Sequence, residues 1–187
     1  MNLYALCDQD LLDKNNITLN EFIELANSKD AKIIQYRNKT ADITFIKQQL
    51  IKIRQHYDGF LIVNDAYELV EFCDGVHVGQ EDLKLIDEDV FKAVKILRDV
   101  VGKDKLLGIS THNETEVIEA NNMDLNYIGL GAYRATSTKT DVSTILGKKL
   151  DSIASKSKHL VAAIGGVKLD DKFSHIEYHV IGSGLLK

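Results

Sequence analysis

The chain has 187 residues, 44% of them apolar, and a formal net charge of −5. Such a length and apolar share suit one packed domain over residues 1–187, and the negative balance excludes bulk nucleic-acid binding while leaving room for a local basic pocket. Cys7 and Cys73 stand in unrelated contexts and make neither a disulfide framework nor a metal-ligand set, which suits a reducing, cytoplasmic setting.

The N-terminus "MNLYALCDQD" opens on a strand-like run rather than a basic segment followed by a long apolar stretch, so it reads as no secretory signal, and no run is long enough to span a membrane. The first strand, "NLYALC", is followed by "LNEFIELANS", a helix that Thr18 or Asn20 would cap. Strand 2 is "KIIQYR". The next segment, "ITFIKQQLIKIRQHY", sets Ile43, Ile46, Leu50 and Ile53 at helical spacing. Strand 3 is "FLIVND", and only "AYELVEFCD" separates it from strand 4, "GVHVG". Then come the amphipathic "VFKAVKILRDVV", strand 5 "LLGIS", the helix "TEVIEANN" and strand 6 "NYIGLG". Asp141 would start "DVSTILGKKLDSIAS". Strand 7 is "LVAAIGG", "KLDDKFSHIEY" is a short helix-forming region, and strand 8 is "YHVIGS". The chain carries no proline, where average usage is ~5%.

Strands that are almost continuously apolar or small, alternating with helices, predict a parallel α/β fold. Eight such strands predict a compact (β/α)8 TIM barrel, economical because that fold usually takes at least ~200 residues. The savings fall between strands 3 and 4 and after strand 8, where "GLLK" leaves no room for a full closing helix. A doubly wound open sheet is the alternative.

In such barrels the reactive groups stand at the C-terminal ends of the strands. Strand 2 ends in Gln35, Arg37 and Lys39, and strand 3 in Asn64 and Asp65. Gln80, Glu81 and Asp82 follow strand 4, and Ser110, Thr111 and His112 end strand 5. Thr136, Thr138 and Lys139 follow strand 6, Gly165 and Gly166 end strand 7, and Gly182, Ser183 and Gly184 end strand 8. Arg37 and Lys39 alternate on an extended segment and offer a planar fork and a compact charge to phosphate oxygens. Asp65 and Asp82, from neighbouring strand ends, suit Mg²⁺, which takes its other ligands from water and substrate phosphates. The glycine turns after strands 7 and 8 suit a phosphate. Taken singly, these features have plainer readings. Arg37 and Lys39 could be a solvated strand end, Asp65 a helix cap, Asp82 a loop residue, His77 a packed strand histidine, and His112 a brace for strand 5. One diphosphate–Mg²⁺ site accounts for the strand ends together.

The series "QYRNK", "LIVNDAYELV", "DGVHVGQEDL", "GISTHN", "YIGLGAYRATSTK" and "AIGGV" resembles thiamine phosphate synthase, in order and over nearly the whole chain. The resemblance implies a transferase of thiamine biosynthesis that joins a hydroxymethylpyrimidine diphosphate to a thiazole phosphate. It implies that Gln35, Arg37, Lys39 and Asn64 hold the pyrimidine diphosphate and that Asp65 and Asp82 bind Mg²⁺. Ser110 would meet the pyrimidine, Thr136, Thr138 and Lys139 the phosphate-bearing ends of the substrates, and Gly166 and Ser183 the thiazole phosphate. Arg37, Lys39 and Lys139 are the candidate catalytic cations. Its partners would be small molecules rather than nucleic acid or membrane, with a homo-oligomer allowed. The chain departs from the family in lacking prolines after strand 6 and in carrying Arg134 where an apolar residue is usual. The alternatives are a thiazole tautomerase-like enzyme, whose histidine after strand 6 is Ala132 here, and a non-catalytic barrel binding thiamine precursors.

Overall fold

The computed structural model describes residues 2–135 and 144–186. Eight parallel strands close on themselves in sequence order. They are β1 Asn2–Asp8, β2 Ile33–Arg37, β3 Phe60–Asn64, β4 Gly75–Val78, β5 Leu106–Thr111, β6 Tyr127–Leu130, β7 Leu160–Ala163 and β8 Tyr178–Ile181. The strand runs expected from the sequence are all present, and the barrel, not the open sheet, is the fold.

Period-two alternation divides the core. Tyr4, Leu6, Ile33, Ile62, Tyr127, Ala162 and Val180 pack together in one layer. Intervening residues such as Ala5, Ile34, Leu61, Val63, Val76 and Ile128 belong to the larger layer beneath the helices. A strand buried on both faces has no polar side to show, which is why these runs read as continuously apolar.

The helices are α1 Gln9–Asn15, α2 Leu19–Ser28, α3 Ile43–His56, α4 Gln80–Ile86, α5 Val90–Val101, α6 Glu114–Ala120 and α7 Lys149–Ala154. Thr18, not Asn20, caps α2: its hydroxyl accepts from the Glu21 N–H while the Glu21 carboxylate accepts from the Thr18 N–H at 2.7 Å, a reciprocal capping box. Asp42 caps α3 through the Phe45 N–H at 2.8 Å. The stripe predicted for α3 is correct at Ile46, Leu50 and Ile53 and wrong at its start, because Ile43 is 45% exposed in the first turn, before the helix settles onto the barrel.

Two crossovers depart from regular helices. The short link between β3 and β4 is a 3-10 segment, Tyr67–Phe72. "KLDDKFSHIEY" forms no helix. Side chains from elsewhere hold it instead: Asp151 of α7 accepts from the N–H groups of Ser174 and His175, and Phe173 packs edge-on against both Tyr133 and His179. The helix start placed at Asp141 lies outside the described residues, and α7 is described from Lys149. Among the described residues no helix is long and apolar enough to cross a membrane.

Leu50→Ala is expected to lower stability in urea unfolding by about 2–5 kcal/mol, and Ile43→Ala by less than about 0.5 kcal/mol. Equal losses would put Ile43 in the core.

Candidate active site

At the C-terminal ends of the strands lies a cavity of about 390 Å³. Gln35, Arg37, Asn64, Ser110, Gly166 and Ser183, each expected at the site, line it. The inward residues one step beyond the packed layer supply this lining: Gln35 and Arg37 follow Ile33, and Asn64 follows Ile62. Thr136, Thr138 and Lys139 lie outside the described residues.

Lys39, Asp65 and Asp82 are not among the residues that line the cavity; they form a cluster joined to it through the Asn64 amide, which lines the cavity and donates to Asp65. The Lys39 ammonium bonds both carboxylates, Asp65 directly and Asp82 at 3.1 Å. Asp65 is not a helix cap; the 3-10 segment begins after Ala66 with no side-chain cap. Its backbone turns into the left-handed region at φ 60°, a conformation Asp tolerates better than most residues. In that turn one carboxylate oxygen accepts from the Gly79 N–H at 3.2 Å, and the other from Lys39 and the Asn64 amide. Asp82 joins from the first turn of α4. Burial disfavours the Lys39 charge, but the hydrogen bonds and charges of Asp65 and Asp82 outweigh it and hold the ammonium above its usual pKa.

Arg37 has a partner that the sequence reading did not single out. Register sets Asp8 of β1 beside Arg37 of β2. The two form a salt bridge in which the Asp8 side chain is 3% exposed. Asp8 also caps α1 by accepting from the Leu11 N–H at 3.2 Å. That second role is the signal the sequence did carry, an acid at the junction of a strand and a helix.

On the far side of the cavity, Gly165 and Gly166 adopt φ 85° and 64°. A Cβ on Gly165 would stand 2.5 Å from that of Ala132, and one on Gly166 2.8 Å from that of Arg134, so the turn admits only glycine. Arg134 clasps this turn to the segment after β7. Its guanidinium donates to the Gly166 carbonyl at 2.8 Å and forks onto Asp171 with two bonds of 2.7 Å. Its cation also stacks 4.2 Å from the Tyr133 ring centre. Arg134 and Lys168 line the cavity together with His77, Thr111 and His112. His112 braces the end of β5, with both its backbone N–H and its ring engaged by Glu116. Cys7 and Cys73 are free, buried thiols away from the cavity lining.

A sequence profile of the thiamine monophosphate synthase family matches residues 3–183. The chain is 33% identical to a thiamine-phosphate synthase of Ruminiclostridium cellulolyticum over 90% of its own length and 78% of that protein. It is 34% identical to a thiamine-phosphate synthase of Clostridium acetobutylicum, covering 98% of this chain and 84% of the other. A solved thiamine phosphate pyrophosphorylase from Pyrococcus furiosus superposes with a TM-score of 0.75 at 21% identity, covering 98% of this chain and 87% of that one, a likeness of fold.

The hydrogen bonds from Arg134 hold the Asp171 carboxyl below its usual pKa despite partial burial. A lowered carboxyl contributes stability above its unfolded value of about 3.9, and that contribution is lost as pH falls through the folded value. Arg134→Gln is therefore expected to move the Asp171 carboxyl resonance titration upward and to shrink the acid-induced loss of stability in urea unfolding below about pH 4. An unmoved Asp171 titration would show that the pair is not what sets it.

Proposed function

The chain belongs to the thiamine monophosphate synthase family, and from that premise we propose that its cavity joins a hydroxymethylpyrimidine diphosphate to a thiazole phosphate, giving thiamine phosphate and diphosphate. The observation that carries the reading is the convergence of Asp65 and Asp82 on one cation next to the cavity residue Asn64, with Arg37 and a glycine turn lining that cavity. The first arrangement suits a diphosphate with its counter-ion, the second a monophosphate.

The two carboxylates fit Mg²⁺. They already meet around a single positive charge, and no group of three or more acidic, histidine or cysteine side chains among the described residues forms a closed cage. Bound there, Mg²⁺ would neutralise charge on the diphosphate as it leaves. Asp65 and Asp82 would hold the ion, and Lys39, no longer needed between them, would turn its ammonium to the diphosphate oxygens. Arg37 would hold the same group with its fork while Asp8 keeps the guanidinium in place. Gln35, Asn64 and Ser110 would position the pyrimidine.

The carbon–oxygen bond to the diphosphate breaks with its electron pair going to the leaving group. The ring stabilises the resulting carbocation, and the thiazole nitrogen supplies the pair for the new carbon–nitrogen bond. That nitrogen has no proton to lose, so a general base is not required. Cations that bind the departing diphosphate more strongly as its charge grows lower the barrier. Gly166 and Ser183 would bind the thiazole phosphate, and Thr136, Thr138 and Lys139 the phosphate-bearing ends. Two buried free thiols suit work in a reducing cytoplasm.

The test is to incubate the protein with both substrates and assay for thiamine phosphate, with and without Mg²⁺. Mg²⁺-dependent product with stoichiometric diphosphate is expected. Arg37→Gln, made in an Asp8→Asn background so that no buried charge is stranded, should raise the pyrimidine diphosphate KM about 10–100-fold and leave the thiazole phosphate KM within about twofold. No product, or equal effects on both substrates, would contradict the reading.

A further inference from the structure

Beneath the cavity runs a continuous chain of hydrogen bonds. The Gln35 amide nitrogen donates to the Tyr4 hydroxyl at 2.6 Å, and the Tyr4 and Tyr127 hydroxyls meet at 3.0 Å. Tyr127 reaches His77 Nδ1 at 3.1 Å, and His77 Nε2 reaches the Ser110 hydroxyl at 3.0 Å. Both ends of the chain, Gln35 and Ser110, line the cavity, whereas Tyr4 and Tyr127 are sealed in the packed layer. The surroundings are built to hold it. The His77 and Tyr127 rings stack with centres 5.5 Å apart, and a Cβ on Gly129 would come within 3.1 Å of the His77 ring. Burial raises the pKa of both phenols well above their usual value, so each keeps its single proton.

With the Gln35 amide nitrogen toward Tyr4, one proton per hydroxyl fixes the order of donors. Tyr4 already accepts from Gln35, so its own proton goes to Tyr127; otherwise it would be buried without an acceptor. Tyr127 then donates to His77 Nδ1, and the proton on His77 Nε2 goes to the Ser110 oxygen. The Ser110 hydroxyl proton is left to the cavity, and the Gln35 carbonyl oxygen is left as an acceptor. Turning over the Gln35 amide reverses every link and exchanges the two roles.

We propose that Tyr4, Tyr127 and His77 are positioning residues that couple Ser110 and Gln35, so that the pair presents one donor and one acceptor to a heteroaromatic ring edge carrying the complementary pair. An aminopyrimidine has such an edge, with an acceptor ring nitrogen beside a donor amino group. The specificity for the ring is then set by two tyrosines that never touch it. The proposal rests on the reading of this cavity as a pyrimidine diphosphate site.

The test uses Tyr127→Phe and Tyr4→Phe, which keep the rings and their packing and remove one hydroxyl each. The readout is the ratio of kcat/KM for the aminopyrimidine diphosphate to that for its des-amino analogue, with the thiazole phosphate KM measured in parallel. Each variant is expected to lower the ratio at least about tenfold, because a site that loses a committed hydrogen bond loses discrimination, and to leave the thiazole phosphate KM within about twofold. An unchanged ratio in both variants would overturn the proposal, as would an equal rise in the KM of both substrates. A ¹⁵N spectrum of His77 gives a readout independent of turnover. The wild type should show one neutral tautomer and Tyr127→Phe a mixture, whereas the same tautomer in both would overturn the coupling. A wild type that shows the single tautomer yet forms no thiamine phosphate would sink the functional reading and leave the chain of bonds standing.

Discussion

An ammonium shared by two carboxylates at the ends of neighbouring strands sets the electrostatic state of this site. Asp65 and Asp82 come from different crossovers, and two close carboxylates repel. The Lys39 charge between them turns that repulsion into a cluster. Arg37 of β2 and Asp8 of β1 form a second cation–carboxylate pair, more deeply buried. Both cations are thus neutralised within the protein. A net charge of −5 is compatible with a phosphate site on these terms, since the positive groups need only be released locally.

The barrel makes this balance possible. Parallel register places Asp8 beside Arg37, and Asn64 beside His77. A one-residue slip would turn every inward group to the helices, and the buried layer of Tyr4, Ile33, Ile62 and Tyr127 prevents it. The same alternation that packs the barrel lower down delivers polar groups to the cavity two residues further on. Across the cavity the crossover between β7 and β8 has no helix, and Arg134 ties it to the glycine turn instead. Arg134, a cation in a stretch otherwise rich in small and hydroxyl residues, has a structural occupation.

Much of this was legible in the sequence, for identifiable reasons. The strands stood out because burial on both faces leaves runs such as "FLIVN" without a polar position. Gln35, Arg37, Asn64, Asp65 and Ser110 stood out because they end those runs, and Asp82 because it follows one closely. What escaped depended on register or packing. Asp8 looks like a helix cap until β1 is laid against β2. Tyr4 and Tyr127 look like ordinary core aromatics, and His77 reads as a packed strand histidine, which it is. Only the closed barrel brings those three rings together into one chain of hydrogen bonds. Ile43 fell on the wrong side because periodicity marks a face and does not say where along the helix contact begins.

On the proposed reading, Lys39 occupies the place that Mg²⁺ would take between Asp65 and Asp82. Calorimetric titration of Mg²⁺ into the substrate-free protein, wild type against Lys39→Met, tests it most directly. Removing the ammonium leaves two converging carboxylates with no cation, so Lys39→Met is expected to bind Mg²⁺ at least about tenfold more tightly than the wild type, a difference of about 1.4 kcal/mol. Equal or weaker Mg²⁺ binding by Lys39→Met would contradict the account.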